Sequence, residues 1–139
     1  MQAITRVNHI GLRISELERS RVFYSKLGFD FVAGPLGPEP VAIMENEHGI
    51  NINFILNAKQ DEPLNHLMDV AEKYTGYTHV ALEVDSVAQM QSDLAEQGIE
   101  LSGGPMHHPT GSSIFIRDPD RNVIEFVEYQ GLDKLKLAD

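Results

Sequence analysis

The chain has 139 residues, no cysteine and a formal charge of −10, a size that suits one compact domain with its own core. Without cysteine there are no disulfides, no thiolate metal ligands and no catalytic thiol, and the acidic balance is the wrong sign for nucleic acid. No apolar run reaches the roughly 18–20 residues that span a bilayer, and the opening MQAITRVNHI lacks a basic-then-apolar leader. The expectation is a cytoplasmic protein with no membrane partner, whose acid excess keeps it soluble.

In VNHIGLRI, Asn8, Ile10, Leu12 and Ile14 fall on one face of a strand and His9, Gly11 and Arg13 on the other. SELERSRVFYSKLG is a predicted helix opening on a capping box, Ser15 with Glu18 three on, and closing at Gly28. The short strands FDFVA, VAIMEN and ININFILN follow, the first two separated by a Pro/Gly turn. A short helix is predicted after Pro63 from Leu64, Leu67, Met68 and Ala71. THVALEV then sets Val80, Leu82 and Val84 opposite His79, Ala81 and Glu83. DSVAQMQSDLAEQG carries Val87, Met90 and Leu94 at helical spacing and stops at Gly98. IELSG, SSIFIRD and NVIEFVEY are the last predicted strands, and GLDKLKLAD reads as a surface extension.

Residue n laid against residue n + 70 matches His9 with His79, Leu12 with Leu82, Gly28 with Gly98, Gly34 with Gly104 and Pro35 with Pro105. Matches in the turns as well as in the core mark a duplicated β-α-β-β-β module. The expected fold is therefore α+β, with tandem βαβββ modules at about 5–57 and 77–129, a linker at about 58–76 and a tail at 130–139. Neither module is large enough to bury its sheet alone, so the halves are expected to combine into one domain or to pair with a second chain.

Glu125 lies inside the apolar strand NVIEFVEY, sharing a face with Val123 and Val127. A carboxylate in such a place needs a partner, a hydrogen bond or a metal. His9 and His79 likewise each stand opposite an apolar face. Two imidazoles and one carboxylate on rigid strands make a two-histidine, one-carboxylate site with open positions, suited to zinc, nickel, iron, cobalt or manganese. The competing reading makes the histidines ordinary strand residues and turns Glu125 to solvent; the repeat favours convergence. His48 and His66 fall in turn or linker, and His107 and His108 in GGPMHHPTG, a loop that could cover a pocket.

NHIGLRISELERSRVFYSKLGF, YTHVALEV and FIRDPDRNVIEF resemble the vicinal oxygen chelate superfamily: glyoxalase I, extradiol dioxygenases, methylmalonyl-CoA epimerase, fosfomycin-resistance enzymes and bleomycin-binding proteins. The resemblance runs from about Val7 to Tyr129 and implies cup-shaped mixed sheets. It implies His9, His79 and Glu125 as metal ligands and Asn53 as the fourth-ligand position, where glyoxalase I has glutamate. Asn51, Asn53, Ile55 and Asn57 share a face that looks like a cavity wall. Arg13 matches an arginine that holds a glutathione carboxylate and Asn57 a glutathione-binding asparagine, with an internal ion pair, for instance to Glu83, as the alternative for Arg13. Asn51, Phe115 and His107 are further candidates for substrate contact. Extradiol dioxygenases and thiol-transferring fosfomycin enzymes carry tyrosine ten residues before the last ligand; here that residue is Phe115, as in glyoxalases.

The resemblance thus implies a metal-dependent lyase or isomerase working on a hemithioacetal or hydroxy ketone through an enediolate. Glu125 would be ligand and catalytic base at once, with one divalent ion per site and glutathione as candidate co-substrate. The alternatives are a catechol-cleaving Fe(II) dioxygenase and a metal-free, acidic, dimeric drug-binding protein. A homodimer is expected, with His9 from one chain and His79 and Glu125 from the other.

Overall fold

The computed structural model describes residues 1–59 and 62–133; of the tail expected at 130–139, residues 134–139 lie outside the described residues. The chain forms two compact units, Met1–Pro63 and Leu64–Asp139. In the first, β1 (Ile10–Arg13) leads into α1 (Leu17–Lys26), then β2 (Asp30–Leu36), β3 (Val41–Glu45) and β4 (Asn51–Ile55). The second repeats the order with β5 (His79–Glu83), α2 (Val87–Glu96), β6 (Gly103–His108), β7 (Gly111–Arg117) and β8 (Val123–Tyr129). The four-stranded sheets run β1-β4-β3-β2 and β5-β8-β7-β6. In each sheet the first and last strands are parallel and the other pairs antiparallel. Two duplicated βαβββ modules, each a mixed sheet with one helix, are thus the architecture expected from the sequence.

Alternation decides which face of each sheet is covered. In the first unit Ala42, Met44, Ile52 and Phe54 are buried together with Ile14, Tyr24 and Phe29. The Tyr24 ring packs 5.4 Å from Phe54 and edge-on 5.9 Å from Phe29. In the second, Ile114, Ile116, Ile124 and Phe126 are buried with Val87 and Leu94 of α2. Each such side chain contributes about 1.5–3 kcal/mol on burial. Residues of odd phase stay on the open face, as the patterns of β1 and β5 show: Ile10 and Leu12, like Val80 and Leu82, are half-buried, while Gly11, Arg13, His79, Ala81 and Glu83 are exposed.

Several local expectations shift. Helix α1 is capped at Glu16, one residue later than expected, with no side-chain cap bond, and the Ser15 hydroxyl accepts from Arg19 at 2.7 Å. A side-chain cap bond lies in α2, where Ser86 Oγ accepts from Gln89 N–H. Strand β6 begins only at Gly103, the last residue of IELSG, and carries His107 and His108 on a strand, not a loop. The helix expected after Pro63 is a single turn, closed by Asn65 Oδ1 accepting from the N–H groups of Leu67 and Met68. Beyond it Asp69 takes a bidentate pair of bonds from Arg117 at 2.8 and 2.9 Å and a third from Arg121 at 3.2 Å. The Arg117 hydrogen bonds, aided by those from Arg121, hold the Asp69 carboxyl below its ordinary range although burial pushes it up.

The repeated glycines have a steric cause. Gly34 and Gly104 both have positive φ, and a Cβ would sit 2.6 Å from the Ala42 Cα and 2.7 Å from the Ser113 carbonyl, respectively. Only glycine lets the backbone of β2 or β6 come that close to its neighbour.

Candidate metal centre

The second unit gathers its polar chemistry on the open face of β5, β7 and β8. Register places Glu125 opposite Ala81 on one side and Phe115 on the other, within reach of His79 at the start of β5. His79 Nε2 lies 3.0 Å from Glu125 Oε1, and the imidazole Nδ1 lies 2.9 Å from Thr78 Oγ1. The other carboxylate oxygen, Oε2, accepts from Ser113 Oγ at 2.6 Å. The Glu125 side chain is only 16% exposed and that of His79 36%. The Phe115 ring meets the imidazole edge-on at 6.2 Å. An apolar wall, a half-covered imidazole and a carboxylate with one oxygen tied back thus share one patch.

This pair suits a divalent cation. His79 Nε2 and Glu125 Oε1 converge to 3.0 Å, an ordinary hydrogen-bond distance that also brings two donor atoms to one place. Neutral imidazole and carboxylate are the donor types that first-row divalent ions take. Thr78 and Ser113 occupy the remaining polar atoms of both groups, the outer support that metal ligands commonly have. Among the described residues no three His, Cys, Asp or Glu side chains form a group that could hold a metal; His79 and Glu125 are a pair, and His9 and Asn53 are carried by the other unit.

In the first unit, Asn53 on β4 stands opposite Gly11 and Ile43, the same topological place that Glu125 holds between Ala81 and Phe115. Its Oδ1 is buried and has no hydrogen-bond partner among the described residues. Such an acceptor is costly unless a ligand completes it. Asn51, two residues earlier, donates to Glu45 at 3.3 Å. His9 is exposed one residue before β1, with Nδ1 2.8 Å from Asn8 Oδ1. Arg13 and Asn57 do meet: Arg13 Nε donates to Asn57 Oδ1 at 2.9 Å, and Asn57 Nδ2 donates to Glu39 Oε1 at 3.0 Å. The carboxylate beside Arg13 is Glu39, 3.7 Å away with both side chains 57% exposed.

His107 pairs across the hairpin with Ser112, Nδ1 2.7 Å from its hydroxyl, on the face opposite Glu125. The neighbouring His108 is the one linked to Glu125, through Ser113. Ser113 and Thr78 were not candidates in the sequence, whereas His108 was read there, beside His107, only as part of a loop that could cover a pocket. The strand alternation of SSIFIRD, which puts Ser113 on the face of Phe115, was the available signal for the first.

Comparison with known proteins identifies the family and the fold. Residues 6–126 match the Glyoxalase/Bleomycin resistance protein/Dioxygenase superfamily. Lactoylglutathione lyase of Escherichia coli O157:H7 is 30% identical over 132 residues, covering 88% of this chain and 92% of the relative. The mitochondrial methylmalonyl-CoA epimerase of Bos taurus is 31% identical over 105 residues, 69% of this chain and 56% of the relative. The genomically encoded fosfomycin resistance protein FosX of Listeria monocytogenes has the same fold, with a TM-score of 0.72 at 17% identity over 99% of this chain and 100% of that one. The chain belongs to the Glyoxalase/Bleomycin resistance protein/Dioxygenase superfamily.

Proposed function

We propose that the protein is a divalent-metal-dependent lyase or isomerase of the glyoxalase type, acting on a small substrate with two neighbouring oxygens, a hemithioacetal or a hydroxy ketone. The observation that carries this reading is the His79–Glu125 pair, 3.0 Å apart on an open sheet face. His9, His79 and Glu125 would hold zinc, nickel, iron, cobalt or manganese with the Asn53 oxygen as a neutral fourth donor, and the ion when bound would polarise the substrate oxygens and acidify the adjoining C–H. The orphaned Asn53 Oδ1 supports that fourth role.

Glu125 then takes a proton from one carbon at Oε1 and returns it to the next, while Oε2 stays with Ser113. Phe115 supplies an apolar wall that excludes water and offers no hydroxyl. Arg13 and Asn57 hold a polar tail such as a glutathione carboxylate. At 3.7 Å Glu39 only loosely occupies the guanidinium, whose fork remains open to a ligand. By name, two relatives are a lyase and an epimerase, which favours proton movement over oxygen insertion. The reading takes the protein as a cytoplasmic homodimer in which His9 of one chain completes the His79–Glu125 pair of the other.

The test supplies each of the five ions in turn and assays the hemithioacetal of glutathione with a 2-oxoaldehyde, alongside oxygen uptake with catechol and Fe(II). The expected result is ion-dependent isomerisation that Glu125→Gln lowers by about 10²–10⁴-fold. Catechol-dependent oxygen uptake with no isomerisation would reject the proposal. Mixing His9→Ala with Glu125→Ala chains should restore part of the activity if the site is shared between subunits, and none if it is not.

A further inference from the structure

The carboxylate of Glu125 has one oxygen beside His79 and one tied away from it, and the tied oxygen leads through Ser113 to side chains that take no part in the proposed proton transfer. Ser113, 1% exposed in β7, donates from Oγ to Glu125 Oε2 at 2.6 Å. His108 Nε2 lies 2.8 Å from the same hydroxyl, and His108 Nδ1 lies 3.1 Å from Thr110 Oγ1. With Glu125 ionised and His108 neutral, the directions of these bonds follow. The carboxylate only accepts, so the Ser113 proton points at Oε2. The Ser113 oxygen then accepts, so His108 carries its proton on Nε2, and Nδ1 accepts from Thr110. Every donor in the chain points toward Glu125.

We infer that Ser113 and His108 are positioning residues for Glu125: they hold Oε2 so that Oε1 alone is presented beside His79 Nε2. This rests on reading His79 and Glu125 as metal ligands. A carboxylate with one oxygen anchored by a short charge-assisted bond is pre-oriented as a one-oxygen donor and loses little rotamer freedom on binding. The first unit lacks this device. Val41 takes the place of Ser113, two residues before the strand partner of Asn53, and a valine has no hydroxyl to give.

The test is calorimetric titration of zinc or nickel chloride into the metal-free full-length protein. Ser113→Ala is expected to weaken binding about 10–100-fold, Ser113→Thr to restore most of it, and His108→Ala to weaken it several-fold. Should the buried Ser113→Ala fail to fold by circular dichroism, His108→Ala at its half-buried position reads the same chain. Unchanged affinity in the Ser113 and His108 variants, with binding abolished by Glu125→Ala, overturns the positioning role and leaves the metal reading standing. No uptake by wild type of these two ions or of iron, cobalt or manganese overturns both. A second readout needs no metal: nitrogen NMR of the imidazoles should show His108 as the Nε2–H tautomer, lost in Ser113→Ala. The Nδ1–H tautomer in wild type would overturn the inference.

Discussion

The two units share element order, sheet order and register, yet differ at the one place where their open faces could do chemistry. Asn53 and Glu125 occupy equivalent positions, one between Gly11 and Ile43 and the other between Ala81 and Phe115. Glu125 is fully engaged by Ser113 and His79; Asn53 has a buried oxygen with nothing to accept from among the described residues. The covered faces differ far less, both built from aliphatic and aromatic residues of one phase. The two units thus share what packs, the buried face and the tight glycine approach, while on the open face the histidines His9 and His79 match but Asn53 and Glu125 differ. A strand's two faces answer to separate constraints because alternate side chains never share an environment.

The largest expected asymmetry is in turnover. Glu125→Ala should abolish ion-dependent isomerisation to the extent of about 10²–10⁴-fold, whereas Asn53→Ala should cost about 10–100-fold, the range for a supporting group. Steady-state kinetics on both variants would break the comparison if the two losses were equal.

Stability should, in contrast, treat the units alike. Gly34→Ala and Gly104→Ala each drive a Cβ into backbone within 2.7 Å at positive φ. Each is expected to destabilise by about 1–3 kcal/mol, measured as a lowered urea midpoint. An effect confined to one unit would show that the repeat is not structurally equivalent there.

A smaller effect should separate stability from binding at Asn53. Replacing it by leucine removes an unpaired buried oxygen, so the metal-free protein should gain about 1 kcal/mol while its affinity for divalent ions falls. A variant that loses both stability and affinity would mean that the amide is structural.

The smallest effect concerns Asp69, which belongs to the second unit alone. Its carboxyl is held below the ordinary range chiefly by Arg117. A depressed folded-state value contributes stability that is complete above about pH 4, the unfolded value, and is lost as pH falls through the lower folded value. Asp69→Asn should therefore flatten the acid limb of urea midpoints collected from pH 7 to pH 3, with little change in the shape of the curve above pH 5.

The sequence made the architecture legible because the repeat is written in turn glycines and prolines as well as in apolar phase. The meeting of one histidine with the carboxylate was legible from alternation: His79 and Glu125 lie on the odd-phase face, and register brings them together, while His9 and Asn53 lie in the other unit. What escaped was the support behind them. Ser113 and His108 come together through a hairpin whose register shifts between Gly103 and Met106, and no periodicity reveals such a shift. For the same reason His107 was the histidine expected near the site although its partner is Ser112 on the other face. The turn after Pro63 is a case where local propensity pointed to an element that tertiary contacts did not complete. There, one Asx turn held by Asn65 replaces a helix.

The proposed function requires Glu125 to help hold a divalent ion. The direct measurement is elemental mass spectrometry of untagged protein, wild type beside Glu125→Ala, as purified and after incubation with zinc, nickel, iron, cobalt and manganese. Near one ion per wild-type chain, lost in the variant, is the expected result. Equal metal in both proteins, or none in wild type under any of these conditions, would contradict it.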